Sequence, residues 1–363
     1  MLKIGIVGLS QVGKTTLFRA LTQAHGAGLG SARPEAHVGV VRVPDARLDR
    51  LAEMYHPQRT IHATIEYVDT PGSVIELART GVQSQNLREM NALAHVVRVF
   101  ENELVPAEGG CVSPKRDIEN VELELILSDL GMVEKRVDRL EKDLKKQKSA
   151  ALEKEFEALK TCKAALEKQT PLREVSLSAD EEHVLRGFAF MSLKPVIDVF
   201  NLGDEECARM SQGRAAEQFA AEIGMKARPH TSVAAICGKV EAELAELTET
   251  EAAEFRASYG MRESAGARLI HSTYALLGLI SFFTTDGGEC RAWTVRAGTS
   301  AYQAAGEIHS DIQRGFIRAE VVKFEALAAA GSVAEARAHA QLKVEGKEYV
   351  LQDGEVVHFR HSG

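Results

Sequence analysis

Residues 8–16, GLSQVGKTT, decide the fold of this chain. The first eight satisfy G-x-x-x-x-G-K-[S/T]. The apolar run LKIGIVG before them reads as a strand, and KTTLFRALTQA after them reads as a helix. A phosphate-binding loop requires that strand–loop–helix context. Each position has a chemical reason. Gly8 and Gly13 let the backbone curl so that successive N–H groups converge on an anion. The positive end of the following helix adds to their pull. Lys14 is placed to neutralise the β- and γ-phosphates, with Gln11, Val12 and Thr16 completing the loop. The Thr15 hydroxyl is the expected Mg2+ ligand, because this hard ion takes oxygen donors.

Working outward, VGVVRV, ATIEYVD and AHVVRVF are short β-branched runs between polar connectors, the alternation of an α/β sheet covered by helices. ATIEYVD runs into DTPG. There Asp69 is a second candidate Mg2+ ligand, and Gly72 can turn its N–H to the γ-phosphate. A later strand, KPVIDVFN, ends in FNLGDEE. GTP-binding proteins read guanine with N-K-x-D. Here Asn201 and Asp204 keep the spacing, but Leu202 stands where the Lys would be and offers an apolar lid instead. The position, after a strand of an α/β sheet, is where a base-reading loop belongs.

Between these halves, Leu127, Leu130, Val133, Val137, Leu140 and Leu144 recur at steps of three and four. After KKQKS, the residues Leu152, Phe156, Leu159 and Leu166 resume the pattern up to Pro171. This predicts two antiparallel helices packed along one seam, a hairpin inserted into the first domain. KARPHTSV reads as a further strand, and the residues from Val240 to about Tyr259 as helix. From about Leu277 the chain is strand-rich with one clear helix. The expected boundaries are residues 1–116 and 172–276 for the nucleotide-binding domain, 117–171 for the helical arm, and 277–363 for the C-terminal domain.

A net charge of −8 argues against a protein that coats nucleic acid over its whole surface, while leaving room for a local basic face. The five cysteines form no C-x-x-C pair, so reduced thiols are expected rather than a disulfide framework or a zinc site. The opening MLKIGIVG predicts no cleavable leader, and no run is apolar enough for a membrane span. The expectation is a cytoplasmic protein. His95, in an apolar strand, reads as a packed core residue. His309 and His358 read as surface-shaping, and Trp293 as a core anchor.

The stretches VGVVRVPDARLDRLAE, HVVRVFEN, KVEAELAEL, CRAWTVRAGTSAYQAAGEIHSDIQRGFIRAEVV and EGKEYVLQDGEVVHFR, with the helical insert, resemble the YchF-type branch of the Obg-like P-loop proteins. The resemblance implies an α/β P-loop NTPase domain with an inserted antiparallel helical hairpin (coiled coil) and a C-terminal β-grasp (TGS) domain. It implies an ATP-binding, slowly hydrolysing switch that needs Mg2+, prefers ATP to GTP, and associates as a monomer with the ribosome (large subunit) or RNA. By the same resemblance, the backbone at Leu202 reads the adenine edge, and Cys237 and Gly238 lie behind the base. Gln11 stands where the family more often has Asn, and Asp204 where it usually has Glu; three further positions depart from the family where hydrolysis is concerned. Arg33 stands where a Thr completes the metal shell, Ser73 follows the glycine of the DTPG turn, and Ala107 stands where a His is thought to position the attacking water. These departures leave open a nucleotide-binding adaptor with little or no hydrolysis, and the N-x-x-D spacing leaves open a GTPase. Arg314, Arg318 and Lys323 are candidate phosphate contacts.

Overall fold

A computed structural model of the chain describes residues 2–22, 37–70, 72–74, 81–107, 109–147, 149–211, 215–258 and 264–362. Its strands, in chain order, are β1 (Leu2–Val7), β2 (His37–Arg42), β3 (Arg59–Ile61), β4 (Thr64–Asp69), β5 (Ala92–Arg98), β6 (Val196–Asn201), β7 (Thr231–Ile236), β8 (Leu279–Thr284), β9 (Glu289–Arg296), β10 (Phe316–Lys323), β11 (Lys343–Glu345) and β12 (Glu355–His361). They make two six-stranded sheets, ordered β2-β4-β1-β5-β6-β7 and β11-β10-β12-β8-β9-β3. The chain divides into two compact units: Met1–Val41 with Glu66–Ser272, and Arg42–Ile65 with Thr273–Gly363.

In the first unit, β1, β5, β6 and β7 run parallel. Every residue of β5 and β6 is buried, as interior strands of a helix-covered parallel sheet require. Two polar side chains in that interior answer each other. His95 on β5 lies in register with Asp198 on β6, and its Nδ1 is 2.9 Å from the Asp198 carboxylate. His95 is therefore a paired core residue, far from an acid–base role at the surface.

The inserted arm consists of the helices Pro114–Lys146 and Ala150–Glu167. Ile126, Val133, Val137 and Leu140 on the first pack with Ala158, Leu159, Cys162 and Leu166 on the second. The ion pairs Glu134–Lys163 and Arg136–Glu155 run in opposite sequence order along the two helices, as an antiparallel hairpin demands. The seam differs from the expected one at its start. Leu127 is exposed, and Ile126 takes the buried place one residue earlier. The reason is a long-range pairing: Asp129 is fully buried at the root of the arm. It accepts the Met191 and Ser192 N–H groups and pairs with Arg88, and this fixes the rotation of the helix.

The second unit packs the helix Ala301–Ile308 on its sheet through Ala301, Ala304 and Ala305, against Phe282, Phe316, Val357 and Phe359. Trp293 stacks on Phe282 and donates its indole N–H to Thr284. One boundary departs from expectation. Residues 42–65, assigned by sequence to the nucleotide-binding domain, pack in the second unit. The cause is β3, which hydrogen-bonds in parallel to β9 and so extends the C-terminal sheet with a strand from early in the chain.

The cysteine expectation also fails at one place. Cys207 and Cys237 form a disulfide, with Cα atoms 5.8 Å apart. They are thirty residues apart in sequence. The parallel pairing of β6 with β7 brings together the segments that follow the two strands, and the thiols with them. Cys111, Cys162 and Cys290 are unbridged.

Candidate functional site

The carboxyl ends of β1, β4, β5, β6 and β7 converge on a cavity of about 1000 Å3, the place where open α/β sheets bind ligands. The phosphate loop forms one wall. Gly8 and Gly13 both have positive φ, +150° and +98°. A Cβ on Gly8 would lie 2.6 Å from the Val96 carbonyl oxygen, and one on Gly13 would lie 2.3 Å from Asn201 Nδ2. Both positions thus require glycine for backbone conformation and for space. Gln11 also takes a positive φ of 60° and lines the cavity. Lys14 is buried, and its ammonium donates to the carbonyls of Gly8 and Leu9 at 3.3 and 2.7 Å. Thr15 and Thr16 face the cavity beside it.

Asp69, at the end of β4, is buried and accepts the Thr15 hydroxyl at 2.9 Å. Its other carboxylate oxygen, Oδ1, is buried without a hydrogen-bond partner. A hydroxyl and an unsatisfied carboxylate oxygen side by side are the donor set a hard divalent cation takes, so these two residues fit Mg2+. Gly72 lines the cavity with a φ of +89°. The N–H of Val74, two residues on, donates to Gly8, which ties the DTPG turn to the phosphate loop.

At the base end, Asn201 does not face outward to read a base. Its Nδ2 donates to the Val12 carbonyl at 3.0 Å, and its Oδ1 accepts the Gly238 N–H at 3.1 Å. It is a buried brace between the phosphate loop and the loop after β7. A Cβ at Gly238 would lie 2.6 Å from that Oδ1, which explains the glycine. Leu202 is buried and lines the cavity, but its N–H donates to Ile236. Asp204 opens the helix Asp204–Ser211, and Lys239 Nζ lies 3.1 and 3.4 Å from its two carboxylate oxygens. Gly8, Val12 and Cys237 shape the walls from behind, since none of them lines the cavity.

Sequence reasoning missed Lys239 and the segment from Phe100 to Val105. Phe100, Glu101, Asn102 and Val105 all line the cavity. Arg98, buried at the end of β5, holds this segment. Its guanidinium donates to the carbonyls of Phe100 and Val105 and lies 4.4 Å over the Phe100 ring. The signal was a basic residue ending a strand that is apolar apart from His95. Of the three departures where hydrolysis is concerned, Arg33 lies outside the described residues. Ser73 is buried and Ala107 half-buried, and neither lines the cavity. Among the described residues no histidine lines it, and the glutamine that does is Gln11.

In the second unit, the expected phosphate contacts are mostly engaged. Arg314 pairs with Asp311. Arg318, Arg337 and Arg360 all converge on the buried carboxylate of Glu320, and the Arg360 hydrogen bond above all holds its pKa below the usual range. His309 caps the helix Ser310–Arg314, and His358 pairs with Asp286. Among the described residues no helix is long and apolar enough to cross a membrane.

Comparison with known proteins bears on this arrangement. Residues 3–149 match a family model described as a 50S ribosome-binding GTPase, and residues 279–362 match the YchF-GTPase C-terminal model, described as a protein of unknown function. The chain is 40% identical to the ribosome-binding ATPase YchF of Bacillus subtilis, with 99% of each chain covered. It is 38% identical to the protein of that name in Escherichia coli O157:H7, with 98% of each covered. A solved structure titled as the YchF GTPase of Schizosaccharomyces pombe superposes with a TM-score of 0.83 at 29% identity, covering 99% of this chain and 97% of that one.

Proposed function

Because this chain belongs to the YchF family of P-loop nucleotide-binding proteins, we propose that it is an ATP-dependent switch that hydrolyses slowly and works as a monomer on the large ribosomal subunit in the cytoplasm. The observation that carries the nucleotide part is the buried Lys14 and the Thr15–Asp69 pair at one end of a cavity whose other end holds Leu202, Gly203 and Asp204. The phosphate loop's N–H groups and Lys14 bind and neutralise the triphosphate. Thr15 and Asp69 would hold Mg2+, which when bound supplies charge neutralisation at the β- and γ-oxygens. Gly72 is suited to report the γ-phosphate through its N–H. Asn201 holds the phosphate and base loops in register, so the protein's contribution is positioning and electrostatic stabilisation.

The relatives' names support ribosome association, and the arginine cluster around Glu320 supports an electrostatic contact with ribosomal RNA. Such a contact weakens steeply with added salt. Slow turnover fits a cavity lined by no described histidine. That feature equally favours a second reading, an adaptor that binds nucleotide without cleaving it.

The test is titration with ATP and GTP, with and without Mg2+, followed by single-turnover hydrolysis. The expected result is tighter ATP than GTP binding, dependence on Mg2+, and γ-phosphate release above the solvent rate. Lys14→Ala should raise the ATP Kd by about 100-fold, since each charge-assisted hydrogen bond contributes about 1.5–3 kcal/mol. Release at the solvent rate would leave the adaptor. Equal or tighter GTP binding would overturn the ATP assignment.

A further inference from the structure

Arg98 ends β5 at the nucleotide cavity, and the proposed function gives it no role. We infer that Arg98 is a positioning residue for the nucleotide: it clamps residues 100–106 into a wall between the phosphate loop and the base loop. The inference rests on the nucleotide-binding reading above and adds a wall to that site.

The strand order places this segment. β5 lies between β1, which runs into the phosphate loop, and β6, which runs into the base loop. The chain leaving β5 therefore enters the cavity between the two loops that would hold opposite ends of a nucleotide. Phe100, Glu101, Asn102 and Val105 line the cavity there. The segment also abuts the base loop, since a Cβ on Gly203 would lie 3.5 Å from the Phe100 Cα. Its root is fixed to the sheet. Arg98 lies in register with Asn201, and the Val99 N–H donates to the Asn201 carbonyl at 2.9 Å.

Beyond that root, residues 100–106 form neither helix nor strand, so their order must come from elsewhere. Arg98 supplies it. The residue is 3% exposed. Its Nε donates to the Phe100 carbonyl at 3.0 Å, its Nη2 to the Val105 carbonyl at 2.7 Å, and its Nη1 to the Pro106 carbonyl at 3.5 Å. One planar guanidinium thus gathers carbonyls from both ends of the segment, which a point charge would do less well. Among the described residues no carboxylate lies within ion-pair distance of Arg98. A charge buried for the sake of the fold is ordinarily paired with an opposite one. This one directs its donors to the backbone of the cavity wall instead. A wall ordered before the nucleotide arrives lowers the entropic cost of binding.

The test uses the full chain and two variants, Arg98→Lys, which keeps the charge without the fork, and Arg98→Gln. Kd for Mg-ATP is measured below each thermal midpoint, and backbone hydrogen exchange is followed with and without Mg-ATP. In the wild type, saturating Mg-ATP should slow exchange in residues 100–106. In both variants the free protein should exchange faster in that segment while β6 stays protected, and the Kd should rise by about five- to tenfold. A merely structural role would speed exchange across the sheet or lower the midpoint, and would leave the Kd of the folded protein unchanged. A Kd within about twofold of wild type in folded Arg98→Lys and Arg98→Gln would overturn the inference. So would wild-type exchange in residues 100–106 that ignores Mg-ATP, and that measurement decides the matter even if neither variant folds. A wild-type chain that binds neither Mg-ATP nor Mg-GTP would overturn the nucleotide reading itself, and this inference with it; that binding is measured first.

Discussion

Asn201→Ala should cripple nucleotide binding although Asn201 acts mainly as a brace between loops. The side chain is 5% exposed and makes two hydrogen bonds, to the Val12 carbonyl and from the Gly238 N–H, both buried. Truncation removes both and leaves a carbonyl and an N–H inside the protein without partners. A net hydrogen bond contributes about 1 kcal/mol, and an orphaned buried group costs about 1–3 kcal/mol, so the total loss is about 2–4 kcal/mol. Both orphaned groups belong to the walls of the nucleotide cavity, so the loss falls on its geometry as well as on stability. Thermal denaturation should show a midpoint lower by roughly 4–12 °C. ATP titration should show a Kd raised by at least about tenfold, equivalent to about 1.4 kcal/mol. Asn201→Asp keeps the acceptor for Gly238 but sets a carboxylate against the Val12 carbonyl, so it should bind ATP no better than the alanine variant. Wild-type ATP affinity and midpoint in Asn201→Ala would refute the reasoning, since they would mean that the loops keep their register without the brace.

Other expectations follow from the same geometry. Gly13→Ala puts a methyl 2.3 Å from Asn201 Nδ2 at a φ of +98°, so it should lose measurable ATP binding by calorimetry and be less stable. The Lys194 ammonium donates to the carbonyls of Arg88 and Met90, and burial lowers its pKa to about 8. The unfolded chain therefore binds more protons than the folded one between pH 8 and the ordinary lysine range. Stability relative to Lys194→Met should rise as pH increases through that window, and a flat difference in midpoint would count against the assignment. Thiol titration of denatured, unreduced protein should find Cys111, Cys162 and Cys290 only, with Cys207 and Cys237 appearing after reduction; five thiols before reduction would remove the bridge. In the folded protein the Cys162 thiol, pushed up to about 12 by burial between the arm helices, should resist alkylation while exposed Cys111 reacts.

How far these features were legible in the sequence differs from one to the next, for physical reasons. A phosphate loop is a local object, so residues 8–16 declared the strand, the curl and the helix together. Burial on both faces of β5 and β6 required unbroken apolar runs, and those were also visible. The arm announced itself by spacing, because one helix seam imposes its period on nearby residues. What stayed hidden were pairings across distance. Leu127 satisfied the periodicity as well as Ile126, and only the buried Asp129, gripping two N–H groups sixty residues away, chose between them. Nothing in RTI near residue 60 says that it joins a sheet built after residue 273, since strand pairing is a matter of backbone hydrogen bonds that any short extended segment can make. Asn201 stood out by its motif, yet its partners, Val12 and Gly238, lie far away in the chain and appear only once β1, β6 and β7 share a sheet. Lys239 and Cys237 acquire their chemistry in the same way. The sequence by itself determined a phosphate-binding loop on a P-loop nucleotide-binding fold. The tertiary structure decided which side chains meet in the cavity, because a side chain's partner depends on which strand ends the sheet brings together.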